Sequence, residues 1–567
     1  MAAYQPIPYR IRIGVTGHRD LKDPETVRAL VIQVITARIW ELFPSAQRRG
    51  VDRIRDARRT PISFRVVSPL AEGADRAVAH AVLDDIQDEN VRLDAVLPLA
   101  LEDYLEDFAT EGSRVEFTEL LNRCRKQVVL RRRRISEERS DPNGQEELRR
   151  AAYARVGRYV VDHCDVLIAV WDGLPSRGRG GTAEIVEYAQ QQRRPVFRIW
   201  GGLLELWNAK ANDGLDASWV IAIDQFNQEP VEPGYLENLD KEHFTGPMIP
   251  RCIPAGVKAM VNGCLFPYYS KASMAAKRSR DRFHIAGGTV YALSAAAVGC
   301  AAVGVLFPAI AWIGFGAELV LLIIILLTLW LAEHRHFHRT WIESRFLTER
   351  IRCGIFMAIC GVTPRPIEVL PFMGYSQTAD DWTVQVFDEI WDRLPALPRY
   401  GHADCRMLNV YIRWVWIRGQ LKFHRQKMAE EGKAAGRIKR TGAIVLGATV
   451  AAAALHLLLL AMWPTETGAE SVPWLRFATH RGLAFVALLF PAIAASMAGM
   501  EAHREYRRLE KRSANMRRQL KRLKWEMKSA TYPEQFEGLL EQVDEETMLR
   551  ETQDWLMLMR YVEIKAS

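Results

Sequence analysis

The densest group of chemistry-bearing residues follows the apolar run Val166–Trp171, where Gly178, Gly180, Gly181 and Thr182 lead directly into "AEIVEYAQQ". Glycines ahead of a helix let backbone approach a ligand closely, and the first helical amides are unpaired at the positive end of the helix dipole. That combination binds phosphate. Two other turns share the design. "TGHRD" sets Thr16, Gly17, His18 and Arg19 after one apolar run, and "SPLAEGADRAVA" sets Ser68, Glu72, Gly73 and Asp75 after another. Gly14 and Gly17 would admit a ligand to the backbone, Thr16 would donate a hydroxyl, and Arg19 would supply a cation. Gly73 would open a second helix terminus, while Asp75 would cap that helix or accept a ribose hydroxyl. Asp172 and Glu184 complete the candidate set. The chemistry implied is capture of a phosphorylated, nucleotide-like molecule; the plainer alternative is that the glycines only shape strand-to-helix turns.

Such turns need a scaffold that brings them to one edge. Apolar runs at Ile11–Thr16, Phe64–Ser68, Leu93–Leu97, Val166–Trp171 and Val196–Trp200 alternate with longer helical stretches, the pattern of a parallel sheet covered on both faces. In open parallel sheets ligands lie beyond the carboxyl ends of the strands, where all three turns fall.

The succession "GVTGHRD", "VSPLAEGADRAVA", "LPL" with "DYLEDF", "DVLIAVWDG" and "GGTAEIV" resembles the SLOG superfamily over about residues 8 to 200. That family of Rossmann-like domains includes LOG-type phosphoribohydrolases, Thoeris defence effectors and the cytoplasmic part of TRPM channels. The resemblance implies a nucleotide ligand, including cyclic or ADP-ribose-type signals. LOG enzymes carry Pro-Gly-Gly-x-Gly-Thr-x-x-Glu with a catalytic glutamate. Here the proline is absent, Arg179 replaces a glycine, and Ile185 stands where the glutamate would be. Glu184 lies one position early, about 100° round a helix, and is the weak catalytic candidate. The departure favours binding over turnover. The run Arg131–Arg134 reads as a solvated insertion loop, and His163 and Cys164 as packing residues with no partners at metal-ligand spacing.

The second half is of another kind. Although 25% of the 567 residues are charged, charges almost vanish from about 285–307, 309–332, 441–462 and 483–499. Each window is long enough to cross hydrocarbon roughly 30 Å thick. Basic residues gather before the first window (Lys277, Arg278, Arg280, Arg282), after the second (Arg335, Arg339), before the third (Arg437, Arg440) and after the fourth (Arg504, Arg507, Arg508). The positive-inside rule then places both termini in the cytoplasm of a multi-pass inner-membrane protein, with Trp312, Trp330, Trp463 and Trp474 as interfacial anchors. No signal peptide is visible at the start. The net charge of +8 is accounted for by this topology and by anionic lipid, so no nucleic-acid partner is expected. Eight cysteines without a Cys-x-x-Cys pair imply reduced thiols and no metal.

The windows are paired, and the segment after each pair repeats. "HRHFHRTWIESR" from His334 aligns with "HREYRRLEKRSA" from His503, matching Phe337 with Tyr506 and Ser344 with Ser513. A duplicated helix–hairpin–helix unit is implied. It resembles SLATT domains, two-span modules that accompany SLOG domains in bacterial conflict systems and are proposed there as membrane effectors. Leu509, Met516, Leu520, Leu523 and Met527 form a near-heptad seam, either for homo-oligomer assembly or for packing within one chain. Glu318 and His456 lie deep in the windows as neighbours in a structural pair or as an ion path. Gly287, Gly288, Ala295, Gly299 and Gly304 offer a small-residue face, and Pro491 a kink.

The fold expected is an α/β Rossmann-like parallel sheet domain (1–260), then an all-α membrane domain with four transmembrane helices, divided into modules 268–400 and 401–567. The function expected is a nucleotide-sensing membrane effector of bacterial antiphage defence, served by a signal-synthesising enzyme. The alternatives are a membrane-anchored nucleotide or NAD glycohydrolase and a nucleotide-gated ion channel.

Overall fold

A computed structural model describes residues 5–48, 60–86, 88–130, 135, 141–175, 180–208, 215–245, 253–362, 382–462, 473–529 and 538–540. The run Arg131–Arg134, Gly178, Arg179, Trp463 and the chain beyond Leu540 lie outside them, as does the Trp474 side chain. The chain forms two compact units.

The first is an α/β unit whose strands are β1 (Tyr9–Gly17), β2 (Ile62–Ser68), β3 (Val91–Leu97), β4 (Lys126–Val129), β5 (Val166–Val170), β6 (Val196–Trp200) and β7 (Leu203–Trp207). They form one seven-stranded sheet in the order β4-β3-β2-β1-β5-β6-β7. All neighbours are parallel except β6 and β7. The purely parallel sheet expected from sequence is thus extended by β4 and by an antiparallel edge strand, β7, which turns back from β6 through Gly201 and Gly202. Both glycines have positive φ, +57° and +78°, as a two-residue hairpin turn of this hand requires. Strand β5 is buried throughout because helices cover both faces of a central parallel strand. Strand order reverses between β1 and β5, and this switch point fixes where a ligand would enter.

Buried charges pin the opposite, amino-terminal end of the sheet. Arg12 donates to Asp165 at 3.2 and 2.6 Å while the Arg12 amide donates to the same carboxylate at 2.8 Å, tying β1 to β5. From far along the chain, helix Trp382–Asp392 belongs to this same unit. Its Glu389 pairs with Arg10, and its Asp392 lies 3.2 Å from Arg65 and 2.9 Å from Arg125. Arg65 also meets Asp94 of β3 at 3.2 Å. The Arg10 and Arg65 side chains are only 5% and 8% exposed, so these charges are stable there because they are paired. Trp382, at the other end of the helix, packs near Phe226 with ring centroids 6.3 Å apart.

The second unit is helical. It contains four helices long and apolar enough to cross a membrane, within Ala255–Leu306, Pro308–Cys360, Ala403–Leu459 and His480–Ser529. The repeat read from sequence reappears in the backbone. Helix Ala311–His334 breaks before Phe337–Cys360, and helix Pro473–Arg504 breaks before Tyr506–Ser529. The break residues, His336 and Glu505, both have left-handed φ (+49° and +48°), and the sequence alignment pairs these two positions. Ser344 and Ser513, also aligned, are both buried. Helix Pro473–Arg504 continues through Pro491.

Small residues bring the spans together unevenly. A Cβ at Gly287 would lie 2.3 Å from His503 Nε2, one at Gly299 3.2 Å from Leu489, and one at Gly314 2.6 Å from the Gly304 amide. Gly288 faces open space and does not belong to the packed stripe expected from sequence. Met516, Leu520, Leu523 and Met527 are buried within the single chain, where helix Tyr506–Ser529 packs along helix Arg418–Met462. Leu509 packs against Phe283 and Trp341. The seam is therefore used inside one subunit.

Candidate functional site

At the switch point, β1 ends in a turn held by its neighbours on both sides. The His18 amide donates to the Val170 carbonyl at 3.1 Å, and the His18 carbonyl accepts from Ala74 at 3.0 Å. Gly73, with φ +80°, is the N-cap residue of helix Ala74–His80, and a Cβ there would lie 2.0 Å from the Arg19 carbonyl oxygen. A Cβ on Gly17 would lie 2.3 Å from that of Ala74. Gly17 and Gly73 thus lock the first two turns together. The first amide of the short helix Ala74–His80 is taken by the His18 carbonyl and is not offered to a ligand.

Gly14 does not reach the turn cluster. It lies inside β1, where a Cβ would meet Val160 Cγ1 at 2.8 Å and Cys164 Sγ at 2.9 Å, so its role is close strand–helix packing. Cys164 is the packing residue expected: its thiol is fully enclosed, and burial pushes it up to about 12. Thr16 is half-buried in β1 opposite Ala169. Ser68 is buried, its hydroxyl accepting the Leu70 amide at 3.1 Å. Glu72 accepts from Ser113, which with Glu116 also holds Arg76 at 2.9 and 2.6 Å. These side chains shape the second turn.

Three candidates do gather around the β1 turn. His18 Nε2 lies 3.2 Å from Asp172 Oδ1, and its ring meets Trp200 edge-on with centroids 5.5 Å apart. On the other side Arg19, exposed, sets its guanidinium 5.3 Å from the centre of the Tyr153 ring. Tyr153 donates to Asp107, which also receives Arg149. Gly180, with φ +81°, closes on the same helix as Tyr153, where a Cβ would lie 2.8 Å from the Ala154 amide. The Gly180 amide donates to Glu184 at 2.7 Å, and Arg158 donates to the other Glu184 oxygen at 3.1 Å. Glu184 therefore holds the glycine loop against helix Pro142–Asp162. Gly181 is the N-cap of helix Thr182–Gln191 and makes no side-chain cap, so that terminus still has the character of an anion seat.

Asp107 lies within "DYLEDF"; Tyr153, Trp200 and Arg149 join this group without a signal in the motifs. They come from helix bodies and strand ends whose residues read as ordinary packing until the sheet brings them to one edge.

Asp75 is buried and accepts the Ala71 amide at 3.2 Å. Burial pushes its carboxyl up to about 7, against the pull of Ala71, Arg19 and Arg76. A raised acid favours folding fully below its unfolded value, near 3.8. That contribution is lost as pH rises through about 7. Asp75→Asn should flatten the dependence of the melting midpoint on pH between about 4 and 8, where the aspartate forfeits on the order of 4 kcal/mol. Thermal unfolding of both proteins across that range checks it; parallel profiles would contradict the assignment.

In the membrane unit, Glu318 and His456 form no hydrogen bond or ion pair with each other among the described residues. The Glu318 carboxylate makes no hydrogen bond or ion pair among the described residues, and His456 meets His480 instead, with ring centroids 5.4 Å apart.

No family model, curated protein or solved structure matches this chain.

Proposed function

We propose that this protein is a nucleotide-sensing membrane effector. The observation that supports it most is the meeting of the turns after β1 and β5 at the switch point, with Arg19 and the Gly180–Gly181 loop on one side, in a chain that also carries four apolar helices of spanning length. A phosphate at the terminus of Thr182–Gln191 would face Arg19, and a nucleotide-derived signal, cyclic or ADP-ribose-like, carries the charge such a site selects. Both termini lie in the cytoplasm of the inner membrane on this reading, because the basic residues cluster at one end of each hairpin. A partly exposed mid-span carboxylate is costly facing lipid, so Glu318 supports a homo-oligomer in which it faces protein or water. The ligand, made by a separate signal-synthesising enzyme, would open or disrupt the bilayer by binding the active assembly more tightly than the resting one. In the setting implied by the SLOG and SLATT resemblances, that is antiphage defence.

The glycohydrolase reading is less favoured because both oxygens of Glu184 are engaged in holding the glycine loop. Purified protein reconstituted in liposomes should release a trapped dye when a stabilising nucleotide is added from a panel of nucleoside monophosphates, cyclic nucleotides and ADP-ribose. Gly181→Asp, which puts an anion at the helix terminus, should abolish both the thermal stabilisation and the release. Stabilisation that survives Gly181→Asp unchanged would move the site elsewhere; stabilisation without release would reduce the membrane unit to an anchor.

A further inference from the structure

Trp200 is the one feature of the strand-end cluster that its neighbours leave unexplained. Two neighbouring tryptophans are engaged. Trp171 donates its indole N–H to the Leu174 carbonyl at 2.9 Å, and Arg198 lies 5.7 and 5.4 Å from the ring centres of Trp171 and Trp207. Trp200, by contrast, makes no indole hydrogen bond among the described residues, and its ring contact is a T-shaped one with His18 at an interplanar angle of 71°. It is 39% exposed. Leu174 and Leu203, at 57% and 67%, extend the apolar surface: Leu174 is tied to Asp172 Oδ1 through its amide at 2.9 Å, and Leu203 is the register partner of Trp200. A stack-ready indole is thus fixed beside an imidazole and a carboxylate at the switch point. His18 and Arg19 are consecutive, and their side chains diverge, one to Trp200 and the other to Tyr153.

We infer that Trp200, with His18 and Asp172, seats the heteroaromatic base of the ligand whose phosphate faces Arg19 and Gly181. This rests on the function proposed above. A planar ring is the occupant that fits, because an exposed indole binds by stacking on a π-face and the polar groups at its margin suit the edge of a base. The site therefore discriminates between nucleotides and sugar phosphates that share the same anion.

The test uses the purified full-length protein in detergent and three probes: AMP, ADP-ribose and ribose 5-phosphate. Trp200→Ala should weaken the two base-carrying probes by about tenfold to a hundredfold, the range of one base–aromatic stack, and leave ribose 5-phosphate within about twofold. Trp200→Phe should restore most of the loss. Equal weakening of all three probes, or AMP and ADP-ribose affinities unchanged in Trp200→Ala while Gly181→Asp abolishes them, overturns this inference and leaves the phosphate site standing. If none of the probes binds the parent protein, the nucleotide reading falls and this assignment falls with it.

Discussion

Replacing Glu389 by Gln and Asp392 by Asn together will destabilise the α/β unit by about 3 to 5 kcal/mol, enough to lower its melting midpoint by many degrees. The size reflects the charges left behind. Arg10 and Arg65 are almost fully buried, and the double variant leaves both, with Arg125, facing neutral amides, while Asp94 keeps its carboxylate beside Arg65. An ion pair of this kind adds little over an apolar replacement of the whole group, yet breaking it from one side strands a desolvated charge. Arg125 is the internal control. Arg125→Gln leaves Glu389 and Asp392 paired with Arg10 and Arg65, so it should cost less than about 1 kcal/mol. Thermal unfolding of the three proteins in one detergent decides the matter; a double variant as stable as Arg125→Gln would show that the helix is only resting on the sheet.

Gly73→Ala is expected to be as damaging and to erase the response to nucleotide. Two costs combine at this position. The backbone sits at φ +80°, where a side chain costs about 1 to 2 kcal/mol, and the new Cβ would lie 2.0 and 2.4 Å from the carbonyl oxygens of Arg19 and His18. Backbone cannot rotate away as a side-chain tip can, so the β1 turn must shift and carry both Arg19 and His18 with it. Gly112→Ala supplies the contrast: it lies in helix Glu111–Arg123 with nothing within 4 Å of its Cβ, and should stabilise by about 0.5 to 1 kcal/mol. Melting curves with and without nucleotide check both. A Gly73→Ala protein that keeps the full nucleotide-induced shift would separate the second turn from the ligand site.

What the sequence made legible was local. Strands β1, β2, β3, β5 and β6 announce themselves as short apolar runs between helical stretches, and the four spans as windows too long and too apolar for a soluble helix. Strand β4 escaped notice because Lys126–Val129 is short and half polar, and β7 because an antiparallel return through Gly201 and Gly202 breaks the strand–helix rhythm. The three turns are visible in the sequence, but their division of labour is not: Gly14 and Gly17 look alike there, while one is crowded by Cys164 and the other by Ala74. Trp200, Tyr153 and the docking of Trp382–Asp392 depend on contacts between residues far apart in the chain, for which period and spacing carry no signal.

The position of helix Trp382–Asp392 in the chain also sets an order of events during synthesis. The α/β unit is built from residues up to Glu229 and then completed by a helix ending 163 residues later (392 − 229), after both spans of the first membrane hairpin have been made. At about 5 to 20 residues per second, a ribosome takes roughly ten to thirty seconds to cover that interval. Throughout it Arg10, Arg65 and Arg125 lack the carboxylates of Glu389 and Asp392, and the sheet exposes a basic face to solvent. The α/β unit, although it emerges first, is finished only after the first hairpin has left the ribosome, so a nascent chain stalled before residue 382 would carry an incomplete sheet unit marked by that uncovered arginine surface.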